Sequence, residues 1–153
     1  MIRLEYEMTY WERIEGPLES TKNAPLGERL CWKVTEATLK GDKINAKLAM
    51  PGMDWMRLGP DDIRRPDLKI QLSSSEGSTI LMYYSNALIK ASELFLAALK
   101  SGCSTNFDDQ YMRMSPQFET GDTNYAWLNQ TFFIAEGRLA GDKEIEYLIY
   151  RVI

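Results

Sequence analysis

Apolar and polar residues alternate with a period of two along most of this chain, so neighbouring side chains project to opposite faces of an extended backbone. In the first segment Ile2, Leu4, Tyr6, Met8 and Tyr10 share one face, and Arg3, Glu5, Glu7 and Thr9 share the other. A loop containing Gly16-Pro17 and Pro25-Leu26-Gly27 follows. A second strand over residues 29–39 meets a third over 43–50 through Lys40-Gly41-Asp42, a hairpin turn. Pro51-Gly52 ends that strand, and Gly59-Pro60-Asp61-Asp62 marks a turn-rich connection. Residues 67–73 and 79–85 predict two more strands, joined by Ser75-Glu76-Gly77-Ser78.

The pattern then changes period. Leu88, Ala91, Phe95 and Leu99 recur at helical spacing, with Asn86 as N-cap and Gly102 as stop, which predicts a helix over 87–100. The last third returns to alternation and predicts strands over 109–114, 125–135 and 144–152. Long strands joined mainly by hairpins, with one helix, point to a mainly β fold: a single antiparallel β-barrel, closed or nearly so. The helix is expected to pack on the barrel or across one end. The length of 153 residues fits one domain over 1–153.

Composition narrows the chemistry more than the fold. There is no histidine, which removes Ser-His-Asp and Cys-His nucleophile systems and nearly all zinc sites. Any acid–base work then falls to Asp, Glu, Tyr, Lys or Cys with a pKa set by surroundings. Neither a GxGxxG nor a P-loop nor a CxxC is present, so no cofactor and no metal is expected. A net charge of −4 without a basic cluster argues against nucleic acid; Arg64-Arg65 is the densest basic pair. The first residues interrupt any signal-like apolar stretch, and no apolar run approaches membrane-spanning length. A cytoplasmic protein, away from membranes, with Cys31 and Cys103 as free thiols, is the expectation.

Candidate site residues follow from strand faces. Tyr125, Trp127, Asn129, Thr131 and Phe133 share one face of the predicted strand over 125–135 and mix aromatic walls with hydrogen-bonding tips, as small-molecule pockets do. Tyr111 and Arg113 share a face, and Glu119, in Phe118-Glu119-Thr120, is the candidate carboxylate for an inward arginine. Asp54 precedes Trp55 after a Pro-Gly turn, a place where desolvation raises a carboxyl pKa; an Asx-type turn with Trp55 in the core is the structural alternative. Tyr83 and Tyr84 lie on opposite faces, and periodicity does not choose between them; Tyr84 is carried as the cavity candidate.

These same residues carry a family resemblance. The run Met50-Pro51-Gly52-Met53-Asp54-Trp55, then Tyr111-Met112-Arg113, Phe118-Glu119-Thr120 and Tyr125-Ala126-Trp127-Leu128-Asn129, with the ending from Tyr147 to Val152, resembles the DUF3237 (UPF0311) family. The resemblance implies a barrel of the lipocalin or allene-oxide-cyclase kind. Met53 and Met112 depart from the family pattern, so ligand identity does not carry over.

The functional expectation is a cofactor-independent isomerase or cyclase acting on a small, mostly apolar or aromatic metabolite, a secondary metabolite of polyketide or terpenoid type. Asp54, Glu119, Arg113 and Tyr111 are its catalytic candidates, and Trp55, Tyr84, Tyr125, Trp127 and Asn129 its substrate-binding candidates. The alternative is a carrier barrel that binds without catalysis. Apolar residues beyond what one core absorbs lead to the expectation of a homodimer.

Overall fold

A computed structural model describes residues 1–153. In chain order its elements are β1 (Leu4–Glu15), β2 (Glu28–Arg29), β3 (Trp32–Gly41), β4 (Ile44–Leu48), β5 (Gly52–Asp54), β6 (Arg57–Leu58), β7 (Arg64–Arg65), β8 (Leu68–Ser74), β9 (Thr79–Tyr84) and β10 (Leu88–Lys90). There follow α1 (Glu93–Ser101), β11 (Tyr111–Met114), β12 (Gln117–Glu119), α2 (Ala126–Asn129), β13 (Phe133–Gly141) and β14 (Glu144–Val152). The strands form one sheet in the order β12-β9-β8-β4-β3-β1-β14-β13-β11-β10-β7-β6-β2, with β5 paired to β3 and β8. Every ladder is antiparallel.

Alternation places one side of each long strand inside. Leu68, Ile70 and Leu72 of β8, Ile80, Met82 and Tyr84 of β9, and Tyr147 and Ile149 of β14 enter a single buried cluster. The sheet must curl for this to happen. Phe118 on β12 packs edge-on against Phe133 on β13 at 5.4 Å, although many strands separate them along the sheet. Tyr84 on β9 meets Tyr147 on β14 at 6.3 Å. The result is the mainly β, barrel-like architecture that the alternation predicts. No helix is long and apolar enough to cross a membrane.

Three local expectations change. In β1 the register against β14 shifts between Tyr6 and Met8. Leu4 and Tyr6 are exposed as a result, while Met8, Tyr10, Glu12 and Ile14 line the interior. The expected helix over 87–100 is split: Leu88–Lys90 is strand β10, laddered to β11 and β7. The helix begins only at Glu93, where Ser92 caps it by accepting the Phe95 N–H at 3.0 Å; Gly102 closes it in the left-handed conformation. Strand partners on both sides of β10 outweigh its helical spacing.

The expected strand over 125–135 is the third correction. Asp122 accepts the Asn124 N–H and starts a 3-10 turn at Thr123–Tyr125, which runs into α2; strand begins only at Phe133. The face proposed for Tyr125, Trp127, Asn129, Thr131 and Phe133 therefore does not exist. Tyr125 and Leu128, three apart, are the buried pair, as one helical turn requires.

Candidate functional site

A cavity of 390 Å³ lies inside the curled sheet. Its walls are mostly apolar, with Trp32 from β3, Ile89 from β10, Met112 from β11 and Leu139 from β13, and with Phe95 and Leu99 of α1 among them. Cavities of this size and lining suit a small molecule with a few fixed polar groups. Two carboxyls and two phenols supply those groups: Glu12, Asp54, Tyr84 and Tyr147.

Glu12 follows Tyr10 by two residues, so both point inward from β1. Only 1% of Glu12 is exposed, and the Tyr10 hydroxyl donates to Glu12 Oε2 at 2.6 Å. Burial raises its pKa from 4.5 to about 8; the Tyr10 hydrogen bond opposes this, and the Asp54 charge adds to it. No cation pairs with it, in contrast to the buried Glu7, which Lys43 meets at 2.9 Å. Near pH 7 Glu12 is therefore a neutral acid with one oxygen committed to Tyr10.

Asp54 ends β5, opposite Trp32 of β3 and Leu68 of β8, which turn it inward. It is 6% exposed, and its Oδ1 accepts the Asp67 N–H at 2.9 Å. Burial raises its pKa from 3.8 to about 6, against the lowering effect of that hydrogen bond. At pH 7 it is mostly a carboxylate. Burial, followed by the nearby Glu12 charge, holds Tyr84 and Tyr147 well above the usual phenol range, so both stay neutral donors.

The remaining sequence candidates lie elsewhere. Trp55 is 52% exposed, its carbonyl taking a 2.6 Å hydrogen bond from Arg29. Met112 and Met114 occupy the inward face of β11, so Tyr111 and Arg113 face outward. There Arg113 sits 5.0 Å over the Tyr111 ring and pairs with Glu136 on β13 at 3.5 Å, not with Glu119. Glu119 is exposed on β12. The Tyr125 hydroxyl donates to Glu76 at 2.6 Å, away from the cavity. Trp127 packs edge-on against Phe133 at 6.2 Å. Asn129 clamps Thr120, accepting its N–H at 2.9 Å and donating to its carbonyl at 2.8 Å. The Phe118-Glu119-Thr120 and Trp127-Leu128-Asn129 motifs thus meet as a structural brace.

Of the sequence candidates, the structure brings Asp54 and Tyr84 together in the cavity. Tyr83 faces away, with Lys69 6.0 Å over its ring. Sequence reasoning missed Glu12, Tyr10 and Tyr147. A signal for Glu12 was present: it continues the inward series Met8, Tyr10, Ile14 as the one charged member. No three His, Cys, Asp or Glu side chains converge in a metal-binding group.

Comparisons with known proteins match this architecture over nearly the full chain. A UPF0311 protein of Rhodopseudomonas palustris (strain TIE-1) is 28% identical over 145 residues, covering 94% of this chain and 93% of the relative. The crystal structure of a β-barrel-like protein from Acinetobacter baumannii superposes with a TM-score of 0.81 at 22% identity, covering 100% of this chain and 97% of that one. A structure described as an enzyme from Penicillium herquei superposes with a TM-score of 0.66 at 15% identity, covering 99% and 95%. The family described as "protein of unknown function (DUF3237)" matches residues 3–152, and the chain belongs to it.

Proposed function

We propose that this protein is a cofactor-independent enzyme, an isomerase or cyclase, that moves a proton within a small, largely apolar metabolite held in the cavity. One observation carries the proposal: two buried carboxyls without cationic partners line the same cavity with pKa values of about 6 and about 8. Environments that separate two carboxyls in this way set one as base and the other as acid near neutral pH.

Asp54 as carboxylate takes a proton from carbon next to a carbonyl, or from a hydroxyl that then closes a ring. Glu12 as neutral acid donates to the oxygen on which negative charge develops, with Tyr84 and Tyr147 as further donors. The proton on Asp54 returns to a different atom of the same molecule, so the reaction needs no oxidant or reductant. General acid–base catalysis contributes about 10²–10⁴ in rate, and a fixed donor to a developing oxyanion about 10²–10³. Likeness to the Penicillium herquei enzyme extends to the fold alone, which does not determine chemistry.

Deuterium incorporation into 2-tetralone, an apolar ketone with exchangeable α-protons, tests the proposal by NMR in D2O. The protein should accelerate exchange, Asp54→Asn should lower the rate by about 10² or more, and Glu12→Gln should remove the loss of rate above about pH 8. Glu119→Gln, on the exposed face of β12, should leave the rate unchanged. Undiminished exchange in both the Asp54 and Glu12 variants contradicts the mechanism. Tight binding of 2-tetralone without exchange favours the carrier.

A further inference from the structure

The neighbouring arginines Arg64 and Arg65 of β7 have opposite fates. Arg65 faces out and grips Asp61 with both terminal nitrogens, at 2.9 and 2.6 Å. Arg64 lies directly opposite Ile89 of β10, which in turn lies opposite Met112 of β11. Directly paired residues in an antiparallel ladder project to the same side. Ile89 and Met112 are buried and line the cavity, so the Arg64 side chain is on the cavity side too. It is half-buried and pairs with no carboxylate there: Asp61 is taken by Arg65, and Asp54 and Glu12 accept their hydrogen bonds from the Asp67 N–H and the Tyr10 hydroxyl.

We infer that the ligand is an amphipathic anion, an apolar body with one anionic group, and that Arg64 holds that group near the cavity mouth while the body reaches Asp54 and Glu12. The inference rests on the catalytic reading above and adds a substrate class to it. A guanidinium against apolar walls is poorly hydrated and offers a fork of donors suited to a carboxylate or another oxyanion. A half-buried cation without a partner costs free energy that an incoming anion recovers. Lys143, exposed on the β13–β14 turn, is the second cation lining the cavity and adds to the positive potential.

A matched pair of fluorescent probes separates the anionic group from the apolar body: 1-anilinonaphthalene-8-sulfonate, and N-phenyl-1-naphthylamine, which has the same rings without the sulfonate. Arg64→Gln should weaken the sulfonate probe about tenfold, as loss of a charge-assisted contact implies, and leave the neutral probe within about twofold. Arg65→Gln removes the same charge from the outer face and should change neither. Unchanged sulfonate affinity in Arg64→Gln overturns the inference, as does an equal loss in Arg65→Gln, which reports net charge alone. Binding of the neutral probe with no Arg64 effect removes the anion but keeps the cavity. Failure of both probes to bind overturns the cavity reading along with it.

Discussion

The hydroxyl of Tyr10 donates to the Glu12 carboxyl at 2.6 Å, within one strand and entirely inside the protein. The phenol is itself held far above its usual pKa, first by burial and then by Glu12, so it stays a donor. The pair fixes the position of a carboxyl that burial keeps protonated to about pH 8. This has a cost for folding whose sign is definite. Below pH 4.5 Glu12 is protonated in both the folded and unfolded states. Between 4.5 and about 8 the unfolded chain releases that proton and the folded chain keeps it, so stability falls as pH rises.

Glu12→Gln removes this penalty and keeps an oxygen for Tyr10. The Tm of the variant relative to the parent should therefore rise from about pH 5 to about pH 9, by an amount equivalent to a few kcal/mol at the alkaline end. Thermal melts followed by circular dichroism check it. Parallel Tm curves for the two proteins contradict a protonated Glu12.

Tyr84 and Tyr147 place two phenols against the cavity, with ring centroids 6.3 Å apart. Tyr84→Phe and Tyr147→Phe keep the rings and delete the donors. Loss of the donor that meets the developing oxyanion should lower the 2-tetralone exchange rate by about 10²–10³. At least one of the two variants should show this loss with little change in Tm. Full rates in both exclude the phenols from the chemistry.

Gly137 of β13 lies directly opposite Tyr147 of β14, and the two are packed without spare room. A Cβ at Gly137 would stand 2.5 Å from Tyr147 Cε1 and 3.0 Å from Met112 Cγ. Gly137→Ala should drive the Tyr147 ring into the cavity, lower stability by about 1–3 kcal/mol, and weaken N-phenyl-1-naphthylamine. Urea denaturation and probe titration measure the two effects. An alanine variant with unaltered stability and binding contradicts this packing.

Much of the fold was legible because burial imposes alternation on long strands; β8, β9 and β14 follow it closely, while β13 runs on to Gly141, past the strand end expected at residue 135. Legibility failed where long-range partners decided the local state. Leu88 to Lys90 carries helical spacing, yet two neighbouring strands claim its backbone. In residues 125–131 the alternation of aromatic and small residues coincided with a turn that Asp122 starts. The site was legible only at Asp54 and Tyr84. Glu12 continues the face that holds Met8 and Tyr10, but it lies beyond Tyr10, where the face read from the sequence stopped, and a lone carboxyl in an apolar series does not by itself mark a cavity. The sequence pairs Arg113 with Glu119 as its candidate carboxylate, but Arg113 meets its carboxylate, Glu136, across the β11–β13 ladder.

The separation of the two cavity carboxyls is open to direct measurement by a pH titration of side-chain carboxyl 13C shifts, assigned through Asp54→Asn and Glu12→Gln. Asp54 should titrate near 6 and Glu12 near 8, leaving one charged and one neutral at pH 7. Midpoints near 4 for both would show two ordinary carboxylates at neutral pH and no acid–base pair.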